Sequence, residues 1–159
     1  MASTPKQLAR EFRLNLNVIN LQVKGLSHED TLRQPPFRGN CLNWILGHVV
    51  TNRMNVHSAA GLPMPWDTTA YAHYQRESDP ITGAEDALPL EQILADLAAS
   101  QEMLLGWLSQ VPDAELDVVA DGQERSVAER LSFLSWHETF HVGQTELLRQ
   151  LTGVDDKVN

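Results

Sequence analysis

The chain has 159 residues, 42% of them apolar and 21% charged, the balance of a globular protein long enough to enclose a core without covalent staples. Its formal charge of −9, with no cluster of Lys or Arg, argues against a nucleic-acid binder, and no apolar run approaches the roughly 18–20 residues of a membrane span. A single cysteine, Cys41, suits a reducing compartment, so a cytoplasmic location is expected, and Met1–Lys6 lacks the apolar core of a secretory leader.

Four helical patterns and no strand pattern organise the chain, which predicts an all-α fold in a single domain over residues 1–159. The first helix is expected over about residues 5–26. Thr4, Pro5 and Gln7 form a capping-box start, and Leu8, Phe12, Asn15, Leu16, Ile19, Val23 and Leu26 recur at helical spacing. Asn15 is the polar member of that stripe. It reads either as a hydrogen-bonded edge position or as a pocket residue.

After the breakers Pro35, Pro36 and Gly39, a second helix is expected over about 40–60, with Leu42, Ile45, Leu46, Val49, Val56 and Ala60 as its apolar stripe. His48 flanks the stripe. His57 lies nine residues on, which at about 100° per residue puts it half a turn from His48, so the two cannot share a ligand. Residues 61–88 are rich in Gly, Pro, Asp and Thr, and are read as a long connection that runs back along the bundle or forms a lid. Trp66, Tyr71 and Tyr74 give it aromatic surface for packing. A third helix is expected over about 89–110, with Gln101 in the middle of a leucine-rich stripe, either bonded to a neighbouring helix or lining a polar cavity.

The fourth helix, expected over about 126–151, starts from a second capping box, Ser126 and Glu129, and stops before Gly153. It carries Trp136-His137-Glu138-Thr139-Phe140-His141. Two histidines four apart on a helix project together, about 6 Å of rise from each other, so one metal ion can take both. Glu138 points about 100° away from His137, which makes it a doubtful proton shuttle and suggests a supporting or surface role.

The letters also spell the H-E-x-x-H of zinc proteases. The extended form of that motif needs Gly at position 144 and His at position 147, where this chain has Gln144 and Leu147. A third metal ligand must come from another helix, and His48, between Trp44 and Asn52, is the best candidate. His28, His57 and His73 are read as solvated, and Cys41 as a small buried hydrophobe.

Asn43-Trp44-Ile45-Leu46-Gly47-His48-Val49 and Trp136-His137-Glu138-Thr139-Phe140-His141-Val142-Gly143-Gln144 resemble the metal-binding segments of the DinB-like (YfiT-like) proteins. There one His comes from the second helix and an H-x-x-x-H pair from the fourth. Asp79-Pro80-Ile81, leading to Leu88-Pro89-Leu90, adds to the likeness, which spans nearly the whole chain.

The resemblance implies a four-helix bundle of up-down-down-up type with a long connection between helices two and three. It implies one divalent metal, zinc or nickel, held by His48, His137 and His141, and a homodimer. Relatives include S-transferases and isomerases that use small thiols such as bacillithiol, mycothiol or glutathione, and metal-dependent hydrolases. The expected function is therefore a metal-dependent enzyme acting on a small molecule, of thiol S-transferase type, its pocket walled by Asn15, Trp44, Gln101 and Trp136. The alternatives are a hydrolase using metal-activated water, or a non-catalytic metal-binding or stress-response protein.

Overall fold

A computed structural model of the chain describes residues 3–154. Among these residues there are six α-helices, one 3-10 segment and no strand. The four long helices are α1 (Pro5–Val23), α3 (Leu42–Ala60), α4 (Leu90–Leu108) and α6 (Val127–Gln150). Two single-turn helices the sequence reading did not anticipate, α2 (His28–Thr31) and α5 (Asp113–Leu116), punctuate the connections. None of the described helices is long and apolar enough to cross a membrane.

Helix ends follow local chemistry. Both expected capping boxes form, with Thr4 and Ser126 accepting from the backbone N–H of Gln7 and Glu129, whose side chains reach back to the cap N–H groups. α1 stops three residues short of its expected end, because Gly25 takes a left-handed φ of 78° and Ser27 caps α2. The carbonyls freed at that end are not left to water: the buried Arg149 of α6 donates to Gln22 O at 2.6 Å and Lys24 O at 2.9 Å.

Side-chain bonds between helices give the topology. Asn15 meets Ser135 and Thr139, and Arg149 meets Gln22, so α1 and α6 run the same way. Asn43 pairs with Leu88 O and His57 with Ser100, so α3 and α4 are parallel. Asn52 donates to Leu134 O while His48 lies against His141, so α3 opposes α6. The order is up, down, down, up, and residues 61–88 make the long return between the two parallel middle helices.

That return is packed. Tyr71 and Tyr74, in the 3-10 segment Thr68–Tyr74, are fully buried, and the Tyr71 hydroxyl donates to Asp96 of α4 at 2.6 Å. Its cover leaves α3 buried on nearly every side, with fifteen of its nineteen residues inside. For that reason His57, expected in solvent, is fully buried instead. Its Nδ1 donates to Pro63 O at 2.7 Å, so its Nε2 accepts from the Ser100 hydroxyl at 2.9 Å.

The core falls into two apolar halves. One holds Leu8, Phe12, Val56, Leu104, Leu108 and Leu131; the other holds Ile19, Val23, Ile45, Val49, Ile93 and Val142. A polar layer separates them, and at its centre the buried Arg53 grips the buried Glu138 through Nε at 2.6 Å and Nη2 at 2.8 Å. Its remaining Nη1 donates to Gln101 of α4 at 2.9 Å, and its guanidinium lies 4.7 Å from the Phe12 ring of α1. One side chain on α3 thus touches all three other long helices.

Removing one partner of such a pair strands a buried charge. Glu138→Leu alone is expected to cost about 3–5 kcal/mol, and pairing it with Arg53→Met to recover much of that loss. Urea unfolding of chelator-treated protein measures both, and additive or negligible losses would contradict the coupling. His57 supplies a pH test. Burial pushes its pKa below the usual imidazole value, its bonds at Pro63 and Ser100 oppose that, and the Arg53 charge lowers it further. Its stabilising contribution is complete above the unfolded value of about 6.5 and is lost as pH falls toward the lower folded value. The fall in unfolding free energy between pH 7.5 and pH 5 should be shallower in metal-free His57→Gln than in metal-free parent protein, and equal slopes would refute the assignment.

Candidate metal centre

His137 and His141 stand one turn apart on the face of α6 that looks into the α3 groove, and His48 meets them from α3. The Nε2 atoms of His137 and His141 are 3.2 Å apart, and one ligand nitrogen from each of the three lies within 4.8 Å of the others. Among the described residues this is the only group of three or more His, Cys, Asp or Glu side chains close enough to hold one metal ion.

Each ring is oriented from behind. His48 Nδ1 lies 2.7 Å from Tyr74 O; a carbonyl can only accept, so Nδ1 carries the proton and Nε2 the lone pair. Trp44 stacks on the same ring, with centroids 4.7 Å apart and planes 12° from parallel. Trp44 is held in turn by its indole N–H, which donates to His73 O at 2.9 Å. His137 Nδ1 is 3.1 Å from Asn52 Oδ1, and Asn52 is turned that way because its amide N–H donates to Leu134 O. His141 Nδ1 pairs with Gln144 Oε1 at 2.8 Å. With all three Nδ1 atoms bonded to oxygen, the lone pairs that converge belong to Nε2.

This donor set fits a divalent ion of the zinc type. Metal-binding histidines commonly give their other N–H to a carbonyl or carboxylate, which sets tautomer and angle. A tetrahedral ion with bonds of about 2.0–2.1 Å spaces its ligand nitrogens about 3.3–3.4 Å apart, close to the separation of the late pair. Two imidazole lone pairs facing each other at that distance repel unless a proton or a cation lies between them.

The electrostatics point the same way. Burial lowers the pKa of His48, against the opposing bond to Tyr74 O. Burial also lowers His137, helped by the charges of His48 and Arg76. His141 is pushed down to about 4, first by burial and then by its two histidine neighbours, while its bond to Gln144 opposes the shift. All three are neutral near pH 7, the form that ligates.

The cluster opens onto a cavity of about 660 Å³, in the range that takes small molecules. Its wall includes Phe37, Arg38, Trp44, Arg76, Phe140 and Leu147. Of the four expected wall residues, Trp44 alone lines it. Asn15 lies inside the bundle, donating to Ser135 O and accepting from Thr139 Oγ1. Gln101 is buried against Arg53. Trp136 is 61% exposed and lies outside the cavity, between Phe133 and Phe140. The surface role considered for Glu138 is also corrected: it is fully buried and held by Arg53.

The supporting roles of three residues are not legible in the sequence. Tyr74 contributes through a backbone carbonyl, which leaves no mark in a sequence. Asn52 had been noted only as a neighbour of His48. Gly47 was a visible signal, since a glycine inside a helix costs about 1 kcal/mol relative to alanine and so invites a reason. A Cβ there would stand 2.0 Å from Tyr74 Cδ1, so glycine alone lets the tyrosine lie against α3.

A family model described as the DinB superfamily matches residues 11–145, which includes all three histidines. The chain belongs to the DinB superfamily. As a DinB-superfamily bundle, it carries its three histidines on the second and fourth long helices, in the order the resemblance implied. A comparison with curated proteins finds none that matches it.

Proposed function

We propose that the chain binds one divalent metal ion through His48, His137 and His141 and uses it as a thiol S-transferase. The observation that carries this reading is the convergence of three Nε2 lone pairs, each ring fixed from behind, at the wall of an open cavity. When bound, the ion supplies Lewis acidity that lowers the pKa of a thiol or water reaching it.

The protein's own residues argue for a catalytic over a purely structural ion. The bundle is already held by two apolar clusters and the Arg53–Glu138 pair, so the ion is not needed to join α3 to α6. Trp44, Phe37 and Phe140 give a substrate apolar surface beside the histidines, with Arg38 and Arg76 as cationic groups on the same wall.

Transfer to a thiol suits the site better than hydrolysis. Cleaving an ester or amide calls for a proton donor to the leaving atom, and Glu138, the acid that an H-E-x-x-H site would use, is fixed to Arg53. A thiol needs only to lose its proton, which passes to solvent at the cavity mouth, where Glu77 is the one carboxylate on the wall. The sulfur lone pair then forms the new C–S bond as the leaving group departs with its electron pair. Hydrolysis stays the second reading. A homodimer belongs to the same proposal, supported by the exposed row of Phe133, Trp136, Phe140 and Leu147 along α6.

Purified protein is expected to hold about one divalent ion per chain, and His137→Ala to lose it. Asn52→Leu should weaken metal binding by about 10–100-fold through loss of ring orientation. After cobalt substitution, 2-mercaptoethanol should change the visible spectrum, and the protein should join that thiol to an alkyl halide. Full metal content in His137→Ala would defeat the metal assignment. No spectral response to thiols, together with metal-dependent ester cleavage, would favour the hydrolase.

A further inference from the structure

Residues 35–40, which read Pro-Pro-Phe-Arg-Gly-Asn, bring four consecutive side chains to the wall of the large cavity: Phe37, Arg38, Gly39 and Asn40. Among the described residues none of the six makes a hydrogen bond, and Pro35 and Pro36 have no N–H to give. Residues 36–39 are exposed, Phe37 to 53%. Both feet of this strap are tied to one point. Gln34 Nε2 donates to Ile81 O at 3.0 Å, and the Cys41 thiol reaches the same carbonyl at 3.8 Å. Ile81 is itself buried. A short span pinned at both ends and unbonded between them opens and closes at low cost on a fixed base.

The strap also carries a charge with no partner inside the chain. Among the described residues Arg38 forms no ion pair. Arg76 stands on the same cavity wall, and its pair with Glu77 is long, at 3.6 Å, and highly exposed. Two guanidiniums thus share a wall with one carboxylate, in a chain whose formal charge is −9. Phe37 is held by the strap alone on one side: a Cβ on Gly39 would lie 3.5 Å from its ring and 3.5 Å from Pro35 Cγ.

From these observations we infer that residues 35–40 form a lid over the large cavity, and that Arg38 selects an anionic small molecule with an apolar body. The inference rests on the reading above that this cavity receives substrate, and it needs neither the ion nor the transfer chemistry. A carboxylate in the cavity draws Arg38 inward through charge-assisted hydrogen bonds. Phe37 then comes down on the apolar part of the molecule, opposite Trp44 and Phe140, and water leaves the mouth. Closing breaks no hydrogen bond of the strap, and its two prolines have little backbone freedom left to lose.

The probes are 2-naphthoate and its uncharged amide, titrated by calorimetry into zinc-loaded and chelator-treated protein. A carboxylate can also reach a bound ion, so the charge preference is read in the chelator-treated form. The parent protein should bind the acid about tenfold tighter than the amide, and Arg38→Gln should erase that preference. Phe37→Ala should weaken both probes alike and leave the preference in place. Saturating 2-naphthoate should slow trypsin at the Arg38–Gly39 bond about tenfold, as the open strap is depleted, and leave cleavage after the exposed Arg125 unchanged. Equal binding of acid and amide, a preference that survives Arg38→Gln, or bound 2-naphthoate without protection at Arg38 would overturn the lid assignment. Failure of the parent protein to bind either probe would do the same. Zinc content of the same preparations decides the metal reading separately: a parent protein that takes up no zinc defeats that reading and leaves the comparison of acid with amide standing.

Discussion

The contact on which the rest depends is the buried pair of Arg53 and Glu138. A carboxylate and a guanidinium taken out of water are costly, and only close, well-aligned partners repay the desolvation. Here the carboxylate takes two N–H groups, Gln101 takes a third, and Phe12 covers the cation's face. Because Arg53 meets a residue on each other long helix, sliding or rotating α4 or α6 strands an amide or a charge, and moving α1 uncovers the face of the cation. Turning Glu138 inward also fixes the rotation of α6. His137, about 100° further round, and His141, one turn on, then point into the groove against α3. The pair therefore sets the register in which histidines from two helices converge. It also accounts for a motif that spells a protease without the protease's base, since the glutamate holds the bundle together.

The second constraint is the long return between α3 and α4. A connection of this length without structure is rare in a compact domain, and this one is tied down by named contacts. Tyr74 enters a slot left open by Gly47, and its hydroxyl bridges Asn43 and the Leu88 N–H. Its carbonyl then receives the Nδ1 proton of His48. Trp44, stacked on that histidine, is fixed by the same segment through His73 O and Ser78. The segment read as a return strut or lid is in effect the support of one candidate metal ligand. It joins packing to chemistry through backbone oxygens.

Much of this was legible in the sequence where the determining physics is local. Capping boxes at Thr4 and Ser126 announce helix starts because cap and partner lie three residues apart. The spacing of His137 and His141 needs only helical geometry. His48 is nominated by its place beside the apolar stripe of the second helix, and the resemblance adds to that choice. What escaped depends on contacts across the fold. Arg53 and Glu138 are 85 residues apart, and a charged residue in mid-helix normally marks a solvated face. His57 escapes for the same reason: a single apolar stripe predicts one buried face for α3, whereas fifteen of its nineteen residues are buried beneath the return segment and the neighbouring helices. Asn15 and Gln101 are polar within apolar stripes, which signals an unusual position without saying whether it faces a ligand or another helix. Both face helices.

The central claim is that one cation sits where three imidazoles from two helices meet. Anomalous diffraction at the zinc edge from crystals of the zinc-loaded protein tests it most directly. One strong peak per chain is expected, bonded to Nε2 of His48, His137 and His141 at about 2.0–2.1 Å. A peak that leaves His48 unbound, or zinc held elsewhere on the chain, would contradict it.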